Sequence, residues 1–203
     1  MLELLGELAS LWRSVCPRLP LLVKIAPDLT WSQVDDMLDV MLSLSLSGII
    51  ATNSSTSRRG LPYRTARREK GGMSGPPLRA PSTEIIRHIY RETGGALPII
   101  GVGGIDGVEA ALEKIRAGAS LVQVYTGLIY RGPGLLRSIN QGLAHQVQEL
   151  GAGSLAELVG RDAAPTRSPR RPRRPVPAPA PLPVSFVPGY RQFGRAPTRR
   201  ARE

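Results

Sequence analysis

Cysteine is nearly absent from this 203-residue sequence, because Cys16 is the only one. A single cysteine excludes an internal disulfide and a cysteine-based zinc site, and it suits a reducing compartment. We expect no metal site. No apolar run approaches the ~20 residues that a transmembrane helix needs. The apolar residues 1–11 include Glu3 and Glu7 and lack a basic segment, so we expect no signal peptide.

Acidic residues are scarce in the last part of the chain. The formal net charge is +11, but residues 165–203 contain ten arginines and one acidic residue, which leaves +2 for residues 1–164. The last part is rich in arginine, proline and alanine and cannot bury a core. We therefore expect a folded domain over residues 1–164 and a disordered tail over residues 165–203.

Two interpretations of this tail stay open. It is a polyproline-type arm that binds acidic partners or nucleic acid, which would make the chain a non-catalytic basic protein. Alternatively, it is a GC-rich reading frame translated out of register, which gives the same composition. We favour the second and do not expect nucleic acid as a partner. Three origins of the chain also stay open: a genuine short protein, a truncated or frameshifted gene model, and one piece of a split gene.

The folded part alternates short apolar runs with amphipathic segments, the pattern of a parallel α/β sheet. Four strands are predicted near residues 21–26, 48–53, 98–103 and 120–125. Apolar residues at helical spacing predict a core-packed helix at the start of the chain. Those residues are Leu2, Leu5, Leu8 and Trp12.

Further helices are predicted from their starts and ends. Thr30 and Gln33 form a capping box before a helix whose apolar side includes Val34 and Met41. Ser82 is expected to cap the helix before the third strand. His88 on that helix is expected at the surface.

Polar and glycine residues follow the predicted strands, where a barrel places its active site. Gly101-Val102-Gly103-Gly104 does not fit the dinucleotide spacing, so the glycines alone indicate either a plain turn or an anion site. Lys24 lies inside an apolar strand. It either extends its charge to the surface at the strand end or points at a ligand.

Four segments resemble those of the dihydroorotate dehydrogenases, flavin enzymes of pyrimidine synthesis. The segments are Val23-Lys24-Ile25-Ala26-Pro27-Asp28-Leu29, Thr52-Asn53-Ser54-Ser55, residues 71–79, and residues 98–104 with 113–126. The second segment departs from the family's Thr-Asn-Thr-Thr, because serines replace the last two threonines. Their hydroxyl groups are kept and their methyl groups are lost. The wording of the motifs favours the quinone-linked type.

The resemblance implies the positions of the cofactor and substrate. Contacts with flavin mononucleotide are expected at Lys24, Thr52, Gly75, Gly104, Tyr125 and Thr126, the last three at its phosphate. Lys24 would stabilise the reduced, anionic flavin. Asn53 and Ser54 are expected to bind orotate, which argues against a second hypothesis, another flavin- or phosphate-binding barrel enzyme.

The resemblance covers residues 21–164 and implies strands five to eight of a (β/α)8 barrel, about 250 residues when complete. The catalytic base, a serine in the quinone-linked type, is expected in the missing N-terminal half, so no catalytic residue is assigned here. Cys16 precedes a strand and is not a substitute. The implied complete enzyme oxidises dihydroorotate, reduces a quinone and lies peripherally on the cytoplasmic side of the inner membrane. The fragment alone is expected to be inactive and either soluble or aggregation-prone.

Overall fold

The fold is known from a computed structural model, which describes residues 2–59, 61 and 70–163. The arginine- and proline-rich tail, and every prediction about it, lies outside the described residues. The helices and strands follow in the order α1 (Leu2–Val15), β1 (Leu22–Ile25), α2 (Trp31–Ser43), β2 (Gly48–Ala51), α3 (Arg79–Thr93), β3 (Ile99–Val102), α4 (Val108–Ala117), β4 (Leu121–Gln123), α5 (Thr126–Arg131) and α6 (Gly134–Glu149). Short 3-10 helices span Pro76–Leu78 and Leu155–Leu158.

The four strands form one parallel sheet in the order β1-β2-β3-β4. Each pair of successive strands is joined by a helix, because parallel neighbours need a crossover connection. The predicted strands and their parallel pairing are confirmed. The four carboxyl ends consequently lie along one edge of the sheet, and the loops that follow them meet there.

The main core lies between this sheet and the first three helices. On α2, the predicted apolar side is buried, at Val34, Met37, Leu38 and Met41. These residues cluster with the sheet residues Ile49 and Ile99, both fully buried. A second, smaller cluster joins α4 and α6 beneath β4, through Ala111, Ile139 and Leu143 among others.

The prediction that α1 contributes a full apolar side to the core is only partly right. Ala9 is buried and Leu5 packs against the main core. Leu8 remains 44% exposed, and Leu4 and Leu11 are exposed as well. The helix thus contacts the core through Leu5 and Ala9, and its other leucines at positions 4, 8 and 11 lie outside the contact.

The second face of the sheet is less covered than the face that packs on the helices. The register places Lys24, Ile50, Ile100 and Leu121 in one row across this face. All four are at least partly exposed, Leu121 by 63%. Among the described residues, β1 and β4 each pair with one neighbour only. The sheet is therefore open, as four strands of an eight-stranded barrel would be.

Helix starts follow the sequence in one case and depart from it in another. The Thr30 capping box is present, with Gln33 N–H donating to Thr30 Oγ1 at 3.3 Å and Thr30 N–H donating to Gln33 Oε1 at 2.9 Å. Ser82 is not a cap, because α3 begins earlier, after a proline-started 3-10 turn. Its buried hydroxyl instead donates to the carbonyl of Val102 and joins the helix to β3.

The prediction that His88 lies at the surface is only partly right. Its side chain is 24% exposed, and its Nε2 lies 2.8 Å from Asp35 Oδ1 on α2. Its ring also lies 4.6 Å from that of Trp31, centroid to centroid. The imidazole thus joins α3 to α2. In the described ranges, no helix has both the length and the apolar character to cross a membrane.

Candidate functional site

A cavity of about 800 Å³ opens at the carboxyl edge of the sheet. Its volume falls within the roughly 300–1,000 Å³ of small-molecule sites. All eight residues proposed from the sequence line it, although they come from five segments of the chain. They are Lys24, Thr52, Asn53, Ser54, Gly75, Gly104, Tyr125 and Thr126. Parallel strands bring these segments together, because each loop leaves the sheet at the same edge.

Lys24 brings a cation to the floor of the cavity. It belongs to β1, on the less covered face of the sheet, and it is exposed rather than buried among apolar side chains. The position of Lys24 in the cavity favours the second alternative from the sequence, in which the side chain points at a ligand. A second cation that sequence reasoning missed, Arg131 at the end of α5, also lines the cavity. Its guanidinium lies 4.0 Å from the carboxylate of Asp106.

The polar residues after β2 divide between the cavity and the protein interior. Thr52 is buried, and its hydroxyl donates to the carbonyl of Asn53 at 3.1 Å. Asn53 donates its N–H to Ile25 at the end of β1, 2.8 Å away, so its backbone is fixed by the neighbouring strand. Ser55, by contrast, is 3% exposed and does not line the cavity. Only the first of the two serines, Ser54, lines the cavity.

Asp28, the acidic residue of the first motif, fixes the chain after Ser55. Its carboxylate accepts a hydrogen bond from the Ser55 hydroxyl. It also accepts bonds from the N–H and hydroxyl of Thr56, at 2.7 and 3.0 Å. Burial raises the pKa of Asp28, but these hydrogen bonds outweigh burial and hold the pKa below its usual value. Sequence reasoning missed this role, and the only signal for it was the motif itself.

The segment after residue 70 returns to the cavity and packs on the serines. Met73 and Ser55 exchange backbone hydrogen bonds of 3.0 and 2.7 Å in an antiparallel bridge. A Cβ atom on Gly72 would lie 2.1 Å from Ser54 Oγ, so glycine is needed for this contact. The Ser54 hydroxyl is therefore held between β2 and the returning segment.

Gly75 and Thr126 lie next to each other at the edge of the cavity. Gly75 has φ +82°, and a Cβ atom there would lie 3.1 Å from Thr126 Cγ2. The Thr126 hydroxyl donates to Ser74 Oγ at 2.9 Å. This bond joins the loop after β2 to the start of α5. Tyr125 beside it is 71% exposed, so its ring stands at the open side of the cavity.

Two consecutive glycines form the turn after β3. Gly103 and Gly104 have φ values of +127° and +67°, a conformation that other residues rarely adopt. A Cβ atom on Gly104 would lie 2.6 Å from the backbone of Arg79, and one on Gly103 would lie 2.9 Å from Ser82. The turn thus rests directly on the start of α3, and its backbone rather than side chains faces the cavity.

Comparisons with known proteins agree with this geometry. The sequence profile of a family described as "Dihydroorotate dehydrogenase" matches residues 3–147. The match begins before residue 21, where the sequence motifs placed it, and so includes α1. A dihydroorotate dehydrogenase (quinone) of Anaeromyxobacter sp. is 47% identical over 159 residues, which are 78% of this chain and 44% of the relative. One of Thermosynechococcus vestitus is 52% identical over 134 residues, 63% of this chain and 37% of the relative.

Solved structures match as well. The crystal structure of dihydroorotate dehydrogenase from Eimeria tenella in complex with ferulenol superposes with a TM-score of 0.68 at 41% identity, and the match covers 72% of this chain and 39% of that one. The α/β fold prediction is confirmed. The chain spans about two fifths of the length of the curated relatives and solved structures that it matches.

Proposed function

The chain belongs to the dihydroorotate dehydrogenase family, and on this premise we propose that it is the flavin-binding portion of a quinone-linked member. The complete enzyme would oxidise dihydroorotate to orotate in pyrimidine synthesis and pass the electrons to a quinone. Because the quinone is a membrane compound, the complete enzyme would work at the inner membrane, on the cytoplasmic side. These are the activity and partners of the complete enzyme, and this chain spans only part of that enzyme's length.

A single observation supports the proposal most. Eight residues, separated by as many as 102 positions in the sequence, line one cavity at the carboxyl edge of a parallel sheet. This edge is where barrel enzymes hold their ligands. A chance likeness of short motifs gives no reason for all of them to meet in one cavity.

The residues present fit flavin mononucleotide. The cavity is large enough for a cofactor of that size, and Gly75 and Gly104 offer backbone at its wall where a side chain would intrude. A Cβ atom on Gly127 would lie 2.2 Å from the carbonyl oxygen of Ile105, so the start of α5 lies against the residue that follows the Gly104 turn. The hydroxyl groups of Tyr125 and Thr126 suit a phosphate there. Lys24 supplies a positive charge in the cavity.

We assign the roles by these positions. When bound, flavin mononucleotide would accept a hydride from C6 of dihydroorotate. Lys24 would attract the negative charge of the reduced ring system through a preorganised contact. Asn53 and Ser54 would orient the substrate by hydrogen bonds, and Thr52 would hold the flavin from the buried end. The group that removes the C5 proton would come from the part of the family sequence that this chain lacks.

The decisive experiment compares the chain alone with the chain and its missing counterpart. The purified 203-residue chain is titrated with flavin mononucleotide, and dihydroorotate-dependent reduction of a quinone-linked dye is followed. We expect flavin binding without useful turnover, because general-base help alone is worth about 10²–10⁴-fold. Co-expression with the N-terminal half of a close relative is expected to restore turnover. Lys24→Ala in that complex is expected to reduce it.

Two outcomes would contradict the proposal. Failure to bind the flavin, with or without the N-terminal half, would remove the cofactor assignment. Turnover by the chain alone at the rate of a full-length relative, abolished by Lys24→Ala, would show that it is not a partial site. The alternative of a nucleic-acid-binding basic protein depends on residues outside the described ones, and no comparison supports it.

A further inference from the structure

A lysine without any solvent exposure lies behind the cavity, between α3 and α4. Lys114 is 0% exposed. Its Nζ donates to the carbonyl of Arg79 and to the hydroxyl of Thr83, each at 2.5 Å. Buried lysine is rare because its charge loses hydration. Both contacts therefore have to be strong for the side chain to stay there.

Glu113 balances this charge and closes a network. Its carboxylate accepts a bond of 2.7 Å from the Thr83 hydroxyl and another of 2.7 Å from Arg79 Nε. Burial raises the pKa of Glu113, but the bonds from Thr83 and Arg79 outweigh burial and lower it. Glu113 is thus ionised at neutral pH. The network alternates positive and negative charge, and each of its members contacts the first turn of α3.

The network ends at the backbone on which the glycine turn rests. A Cβ atom on Gly104 would lie 2.6 Å from the N and Cα atoms of Arg79. Gly104 therefore packs on the Arg79 backbone with no room for a side chain between them, and a shift of this backbone would move the turn or open a gap beneath it. Lys114 holds the carbonyl of this same residue. Lys114, outside the cavity, thus contacts the same residue on which Gly104 packs in the cavity wall.

We propose that Lys114, acting through Arg79 and Thr83, is a positioning residue that holds the Gly103-Gly104 turn in the geometry that binds the flavin phosphate. The inference rests on the proposed function, since it assigns a support to one end of the same site. Lys114 does not line the cavity and touches no ligand there. Lys114 would keep the turn ordered before the flavin binds, and its loss would therefore lower the affinity for the flavin.

A matched pair of substitutions at Thr83 tests this support. Thr83→Val keeps the branched shape but removes the hydroxyl that accepts from Lys114 and donates to Glu113. Thr83→Ser keeps the hydroxyl. Affinity for flavin mononucleotide is measured by quenching of its fluorescence on the full chain. We expect Thr83→Val and Lys114→Met each to weaken binding about tenfold, the effect of losing one charge-assisted hydrogen bond. Thr83→Ser should bind within about twofold of the unaltered chain.

Hydrogen exchange without flavin supplies an independent readout. The backbone N–H groups of residues 103–105 should exchange faster in Thr83→Val than in Thr83→Ser. Arg116→Gln removes another cation of α4, one that pairs with Asp162 at 2.8 Å on the far side, and should change neither measurement. Melting curves identify a variant that fails to fold. If Lys114→Met fails to fold, the comparison of Thr83→Val with Thr83→Ser still tests the proposal.

The outcomes separate this inference from the proposed function. If the unaltered chain binds flavin and Thr83→Val binds equally well, the positioning role is wrong and the flavin site stands. If Thr83→Ser is as weak as Thr83→Val, the hydroxyl is not the support and the inference is also overturned. If the unaltered chain does not bind flavin, the proposed function fails and this inference fails with it.

Discussion

Asp28 accepts a 2.7 Å hydrogen bond from the backbone N–H of Thr56 and so joins two loops that leave neighbouring strands. The same carboxylate also holds the hydroxyl groups of Ser55 and Thr56. The substrate-side residues Asn53 and Ser54 immediately precede this anchor. Asp28, which belongs to the first motif, thus fixes the chain at the end of the second motif, Thr52-Asn53-Ser54-Ser55.

Asp28→Asn is expected to loosen residues 55–57 without unfolding the sheet. The amide keeps one acceptor oxygen but loses the charge, and the site is exposed to solvent, so we expect a loss of about 1 kcal/mol. Faster hydrogen exchange at Thr56, with little change at Ile99, would show this. Asp36→Asn, an exposed carboxylate on α2, is the control. Unchanged exchange at Thr56 would contradict the anchoring role.

Gly104→Ala is expected to destabilise the chain and weaken flavin binding together. The added methyl group would lie 2.6 Å from the Arg79 backbone, and φ is +67° at this position. Strain of this kind costs about 1–3 kcal/mol. Gly107→Ala is the matched control, because its backbone is extended and a Cβ atom there meets nothing within 4 Å. Equal melting temperatures for the two variants would contradict the prediction.

Lys114 is expected to make stability depend on pH in the alkaline range. Burial lowers its pKa from 10.5 to about 8, and the charge of Glu113 only partly opposes this. Between these two values the unfolded chain binds more protons than the folded one, so the free energy of unfolding should rise with pH, by up to roughly 3 kcal/mol. Chemical denaturation at pH 8 and pH 10 measures the slope. Lys114→Met should lack this slope. An equal slope in that variant would show that another group causes the pH dependence.

Gly72→Ala is expected to affect the substrate and not the flavin. A Cβ atom at Gly72 would meet Ser54 Oγ at 2.1 Å and displace the hydroxyl. In the complex restored with an N-terminal half, KM for dihydroorotate should rise several-fold while flavin affinity stays unchanged. A fall in flavin affinity with KM unaltered would show that Ser54 does not face the substrate.

Removal of residues 165–203 is expected to leave the melting temperature of the remaining chain nearly unchanged. The prediction rests on composition, because a segment rich in arginine and proline buries little apolar area. Thermal unfolding of the full and shortened chains, followed by circular dichroism at equal concentration, measures it. A drop of several degrees would show that these residues belong to the fold.

The strands and eight of the cavity-lining residues could be predicted from the sequence, but Arg131 and several contacts between distant elements could not. Apolar runs that end in glycine or hydroxyl residues indicate the strands. Their alternation with helical segments indicates a parallel sheet, in which the carboxyl ends of the strands share one edge. Asp28, His88 and Lys114 each bind a partner more than 25 positions away. A local sequence pattern does not identify such distant partners, and for this reason the surface prediction for His88 missed its contact with Asp35.

For Lys114, a local signal did exist. Its neighbours Glu113 and Arg116 suggest an exposed charged stretch. However, Lys114 follows the buried Ala110 and Ala111 by four and three positions, on the same side of α4. Helical periodicity therefore indicates that Lys114 belongs to the buried side of α4. Charge, taken alone, was the weaker guide.

The 2.9 Å bond between Thr126 and Ser74 has a consequence for the thermodynamics of binding. It joins two loops at the edge of the cavity that are 52 residues apart in the sequence. The conformational entropy of ordering these loops is then lost during folding and not again on association. Removal of this hydroxyl contact would shift that loss to the binding step, where it would be seen as a more negative entropy of association at an almost unchanged contact enthalpy.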